Sequence, residues 1–239
     1  MEAGLKQRAA RPPSPLERPV WSMLTGPQAG LAVATGAAVR IDPRYGPFAA
    51  ARDRSDAAQA ALAATLSGPD DTIWLVEREE WPAPPGTRVV RLAPLLQMVA
   101  ESPAPLRADD GPFVALGASD VAEMTDLALA TEPGPWGPLT HQYGQFWGIR
   151  EEGRLLAMAG ERMRPAPGLA EVSGVCTWPD QRGRGLAGAL IRRVMADQVG
   201  RGDVPYLHSY AGNVSAIRLY ESLGFRAERE MVATVLALN

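Results

Sequence analysis

The 239-residue chain has one cysteine and two histidines. A single cysteine excludes an internal disulfide and a cysteine-based zinc site, and two histidines leave little from which to build a dedicated metal centre. Charge of one sign is also missing. The formal net charge is −3, with no basic excess to serve as an electrostatic footprint for nucleic acid. No run approaches eighteen apolar residues, so no membrane contact is expected. The N-terminus carries charges and prolines where a secretory signal would have an apolar core, so a cytoplasmic location is expected. What is present is apolar material, 46% of residues, ample for a folded core of one large or two small domains.

The most informative stretch is Leu169–Gly200. Residues 169–178 read as a strand, with Val172 and Val175 β-branched. Gly174 marks a bulge, and Trp178-Pro179-Asp180-Gln181 is a turn. Arg182-Gly183-Arg184-Gly185-Leu186-Ala187-Gly188 then opens a helix in which Leu190, Ile191, Val194 and Met195 recur at helical spacing. The first N–H groups of a helix lack internal partners, and its dipole is positive there. Small residues at 183, 185, 187 and 188 let a phosphate reach the backbone, and Arg182 and Arg184 add forked donors. The alternative is a tight turn with solvated arginines, but so many small residues in a first turn lower helix propensity without a packing gain.

The glycines at 183, 185 and 188 match a dinucleotide fingerprint, which would make the chain an oxidoreductase. A proline turn separates them from their strand, however. Twenty residues on stands His208 where an acid is required. No Gly-Lys-Ser/Thr follows, so a nucleotide-triphosphate loop is excluded.

Arg182-Gly183-Arg184-Gly185-Leu186-Ala187 resembles instead the acyl-CoA pyrophosphate turn of the GNAT N-acetyltransferase superfamily. Asn213-Val214-Ser215-Ala216-Ile217-Arg218-Leu219-Tyr220-Glu221-Ser222-Leu223-Gly224-Phe225 is similar to that family's last helix. The resemblance covers residues 112–239. It implies a mixed β-sheet with flanking helices, acetyl-CoA or another acyl-CoA as co-substrate, and direct transfer to a small amine or amino acid. It also implies that Val175, Cys176 and Thr177 hold the pantetheine arm and thioester carbonyl, that Asn213 and Ala216 join the cofactor site, and that Tyr220 lies near the CoA sulfur. A non-catalytic acyl-CoA-binding module is the alternative within the same fold.

Acyl transfer to an amine needs a base, oxyanion donors and help for the thiolate. Tyr220 is the candidate acid, sharing an inward helix face with Ala216, Leu219 and Leu223; otherwise it is a core aromatic. Glu171 leads as base, on a strand expected to be central, where a carboxylate is costly without a partner. Its alternative role is an ion pair with Arg162 or Arg164. His208 is the rival base by its titration range, Glu161 is a third, and water is a fourth. Cys176 reads as a small core residue.

The rest of the chain is organised around that unit. Residues 1–19, with prolines at 12, 13, 15 and 19, read as a Pro-rich arm, which could strap a partner subunit in a homodimer. Residues 20–105 read as a separate α/β domain. Its strands are expected at 31–41, 72–77 and 87–92, with a helix from 55 to 66 and a short one around 95–100. The GNAT resemblance implies that this segment could be a degenerate second copy of the fold, by analogy of element order. A proline-rich linker follows, to residue 112. Then come a strand, a helix, a stiff loop at 132–142 bearing Trp136 and His141, and three strands. The helix from 186 to 200, a strand, the Asn213-capped helix and a last strand complete the chain. The loop is expected to wall the acceptor site.

Overall fold

A computed structural model describes residues 14–34 and 36–239. The expected arm lies outside the described residues as far as residue 13. From Ser14 onward the chain is ordered into the fold: Ser14 caps a 3-10 turn, and α1 (Pro19–Leu24) buries Val20, Met23 and Leu24. A small antiparallel sheet follows, of β1 (Ala32–Ala34), β2 (Ala38–Ile41) and β3 (Ala49–Ala51). Helix α2 (Asp56–Ala63), capped by the Ser55 hydroxyl as expected, packs Ala58 and Leu62 against it.

The remaining strands form one eight-stranded sheet. They are β4 (Ile73–Glu77), β5 (Thr87–Val99), β6 (Val114–Leu116), β7 (Phe146–Glu151), β8 (Arg154–Glu161), β9 (Leu169–Thr177), β10 (Val204–Tyr210) and β11 (Arg226–Leu238). Their spatial order is β4-β11-β5-β10-β9-β8-β7-β6. The mixed α/β class matches the expectation, and a smaller sheet does precede the large one. The boundary near residues 105–112 does not hold as a domain division. β5, from the first hundred residues, lies between β10 and β11, which both come from the last forty, and β4 pairs with β11 on the outside.

Nor is there a helix around 95–100. Leu95, Leu96, Met98 and Val99 belong to β5, which pairs with a strand on each side. A central strand is covered on both faces, so its apolar run carries no alternation and reads equally as a buried helical turn. Pro94 does not interrupt the strand. Its carbonyl accepts a bond from Ala211 N–H at 2.9 Å, and the strand continues through it.

Helices α3 (Val121–Thr131) and α4 (Leu186–Gly200) cover opposite faces of the sheet. On β8, Met158 packs with Met124 and Leu127 of α3, while Ala157 and Ala159 pack with Leu190, Ile191 and Val194 of α4. The left-handed glycine after α4 is Gly202 (φ 82°). Helix α5 (Val214–Ser222) is capped by Asn213, whose Oδ1 accepts from Ala216 N–H at 3.2 Å. Its Ile217, Leu219 and Tyr220 rest on the α4 side of the core. No described helix is long and apolar enough to cross a membrane.

Candidate active site

The site follows from one break in the sheet. β9 and β10 run parallel and pair only at Val204–Leu169, Pro205–Ala170 and Tyr206–Glu171. Beyond these pairs they separate. On its other side β9 pairs with β8 through a one-residue bulge, where Met158 faces Cys176 but Gly160 faces Ser173. Gly174 provides it, with φ of 59° and Phe146 Cε1 2.6 Å from where a Cβ would stand. The bulge bends β9 away from β10 and leaves its backbone facing an opening.

That opening is a cleft of about 500 Å³. Its floor is Val172–Val175 and Thr177 on one side and His208–Tyr210 on the other. One end reaches Arg182, Gly183, Leu186 and Ala187, and α5 contributes Asn213, Ala216, Leu219 and Tyr220. At the far end stand Phe48, Trp74, Val76 and Leu95, with Arg162 and Met163. Of the expected residues the cleft therefore brings together Val175, Thr177, Arg182, Gly183, Leu186, Ala187, His208, Asn213, Ala216 and Tyr220. Glu171, Cys176, Arg184, Gly185 and Gly188 do not line it.

Gly183 and Gly185 both have φ near 80°, and no heavy atom lies within 4 Å of where their Cβ would be. The backbone N–H groups of residues 183–188 have no partner among the described residues. The first that does is Ala189, which donates to the Gly185 carbonyl at 3.1 Å. A helix start with consecutive unpaired donors and open space before them suits a pyrophosphate. Arg182 makes no side-chain bond among the described residues. The Arg184 fork is instead engaged by the Glu151 carboxylate of the β7–β8 hairpin and by Gln181. Thr177 Oγ1 is buried on the cleft wall without a partner among the described residues.

Glu171 has no exposed surface. Its two oxygens accept from Arg162 Nε and Nη2, both at 2.9 Å; Met163 N–H adds a bond at 3.2 Å and His208 Nδ1 one at 2.8 Å. Burial alone would push this carboxyl up. The Arg162 charge and the bonds from His208 and Arg162 outweigh it and bring it down to about 2. A carboxylate held ionised and enclosed is a poor proton acceptor, so the leading base expected from sequence is an anchor instead. Of its two expected partners Arg162 is the one used, while Arg164 pairs with Glu161 and Asp203. Glu161 is itself held by Arg164 and Arg201, outside the cleft.

The anchored group is His208. With Nδ1–H donating to Glu171, Nε2 is left as an acceptor. It faces the Gln97 amide nitrogen of β5 at 3.0 Å, and that amide also donates to the Leu16 carbonyl at 2.9 Å. Gln97 and the four apolar residues at the far end escaped the sequence reading. They come from strands remote in the chain, and only the position of β5 beside β10 brings them to the cleft.

Tyr220 lines the cleft and packs edge-on to Phe225 at 6.0 Å. Burial pushes its phenol up to about 12. Burial does the same to the Cys176 thiol, about 12, on the opposite face of β9 among Leu116, Met124 and Leu127. Thr131 at the end of α3 and residues 132–135 of the stiff loop wall the cleft, but Trp136 does not. It packs edge-on to Phe146 at 5.6 Å and donates to Thr125 Oγ1 at 3.2 Å. His141 also lies outside the cleft lining.

A splayed pair of parallel strands ending at a glycine-rich helix start suits an extended ligand that carries phosphate. Comparison with known proteins gives the family. A family model described as FR47-like protein matches residues 146–233. A crystal structure from Novosphingobium aromaticivorans, assigned to the GNAT family of acetyltransferases, is 64% identical, covering 95% of this chain and all of that one, with a TM-score of 0.90. The N-alpha-acetyltransferase RimI of Mycobacterium tuberculosis is 33% identical over 100 residues, spanning 38% of this chain and 62% of that protein. A GCN5-related N-acetyltransferase from Kribbella flavida shares the fold at 22% identity, covering 87% and 88% of the two chains, with a TM-score of 0.56. The chain belongs to the GNAT family of acetyltransferases.

Proposed function

We propose that the protein transfers an acetyl group from acetyl-CoA to a small amine or amino acid by direct attack within the cleft. The observation that carries this reading is the opening between β9 and β10, closed at one end by unpaired N–H groups and walled at the other by apolar side chains. Acetyl-CoA supplies an activated thioester. The turn at 182–188 binds its pyrophosphate through backbone donors and Arg182. The freed backbone of Val175, Cys176 and Thr177 aligns the pantetheine arm and the thioester carbonyl, whose developing negative charge the N–H groups stabilise.

The amine attacks only when neutral. His208 accepts its proton at Nε2, and Glu171 holds the ring by Nδ1. The Gln97 amide bonds to the same lone pair, so this bond opens as the proton arrives. Tyr220 donates a hydrogen bond to the departing sulfur. A thiol titrates near 8.5 in water, so complete transfer from a phenol at about 12 is roughly 5 kcal/mol uphill. Tyr220 therefore stabilises the thiolate without surrendering its proton.

The test is calorimetric titration with CoA together with thiol release from acetyl-CoA in the presence of amines. Gly185→Glu places a carboxylate and a strained φ at the turn, and CoA affinity should fall by about 100-fold or more while the fold persists. Unchanged affinity in a folded variant removes the pyrophosphate assignment. CoA binding without turnover of any amine would favour a non-catalytic binding module.

A further inference from the structure

The acceptor end of the cleft has a definite chemistry. Phe48, Val76, Leu95 and Met163 form an apolar cup, buried apart from the cleft opening, with Trp74 partly buried beside them. Its carboxylates are already committed: Glu171 lies behind His208 and Arg162, and Glu77 is turned to Arg18. The exposed carboxylate on the cleft lining is Glu132, on the α3 loop. The cup thus has little to recognise a polycation.

Beside it stands Arg91. Trp74 pairs with Val235, and Val235 with Arg91, so all three lie in one row across β4, β11 and β5, and Trp74 and Arg91 share a face. The Arg91 guanidinium lies 5.6 Å from the Trp74 ring centroid and 5.4 Å from that of Tyr210, and both rings line the cleft. The residue is exposed, and its side chain makes no hydrogen bond or ion pair among the described residues. A guanidinium stacked on aromatic faces keeps its N–H edge free, and that edge matches a carboxylate fork. An apolar cup beside a free, pre-positioned cation fits a ligand that is apolar in the middle and anionic at one end.

We propose that the acceptor is an amino acid or short peptide with an apolar side chain and a free carboxylate, bound with the side chain in the cup and the carboxylate at Arg91. This rests on the acetyltransferase reading above and narrows its acceptor. Polyamines and basic protein segments are disfavoured, since each brings a second cation towards Arg91 and neither fills the cup.

The experiment compares thiol release and acetylated product for phenylalanine, phenylalanine amide, phenethylamine, spermidine and a peptide amide with an N-terminal alanine. It uses the full chain and its Arg91→Ala and Arg91→Lys variants, with CoA affinity measured in parallel. Phenylalanine should be the best of the five. Arg91→Ala should raise its KM about tenfold with kcat, CoA affinity and phenethylamine turnover little changed, and Arg91→Lys should recover part of the loss. Faster turnover of spermidine or of the peptide amide overturns the proposal, as does an equal rise in KM for phenethylamine. CoA binding with no turnover of any amine overturns the acetyltransferase reading and this proposal with it.

Discussion

At Glu171 two effects of opposite sign meet, desolvation and the Arg162 charge, and the second wins. The folded carboxyl is depressed below its ordinary value of 4.5. Its contribution to stability is therefore fully present above about pH 4.5 and is lost as pH falls towards about 2. Glu171→Gln keeps the shape but leaves Arg162 buried without its counter-charge, which costs about 3–5 kcal/mol. Its melting temperature at pH 7 should fall by roughly 10 °C, and the gap from the parent protein should narrow at pH 3. A gap independent of pH would show that the pair is not ionised. Tyr220→Phe should lower kcat by about 10–100-fold with CoA affinity unchanged, measured by single-turnover thiol release so that chemistry is limiting. Unchanged kcat would make Tyr220 a packing residue. Residue type and motif were enough to bring Tyr220, His208 and the turn glycines into view. They could not separate base from anchor at Glu171, because that depends on which arginine reaches it.

Among the elements, β9 carries the architecture of the site. Its bulge at Gly174 was legible, since an isolated glycine in a strand pattern signals one. Which neighbour the bulge would part it from, β10, was not legible, because strand pairing is set by topology rather than local pattern. Gly174→Ala forces a side chain onto a left-handed residue and against Phe146. We expect about 1–3 kcal/mol of destabilisation and a larger proportional loss in CoA affinity, as β9 relaxes towards β10. Denaturant unfolding paired with CoA titration checks this, and a stability loss with normal affinity would detach the bulge from binding. The apolar run at 95–99 was misread for the opposite reason. It is local and strongly patterned, but its environment on both faces is supplied by distant strands.

For the whole molecule, the proline-rich stretch at 102–112 has the composition of a linker and is pinned instead. Arg192 Nε donates to Asp110 Oδ2 at 2.6 Å, and Ala104 N–H donates to the Leu223 carbonyl at 2.9 Å. A fragment beginning at Gly111 should not fold, because it deletes β5 from between β10 and β11 and exposes two strand edges and an apolar face. Circular dichroism and solubility of that fragment test the point; a soluble, CoA-binding fragment would restore two independent domains. The position of β5 also bears on how the chain acquires its structure. β10 and β11 are consecutive strands, yet they leave a gap one strand wide that only a much earlier segment fills, and contacts such as Trp81 N–H to Thr234 Oγ1 join residues 153 apart. On the ribosome β5 emerges long before either neighbour, and its apolar faces must wait for both. High contact order of this kind predicts slow, late-closing folding, and nascent chains arrested before β11 should remain protease-sensitive through β5.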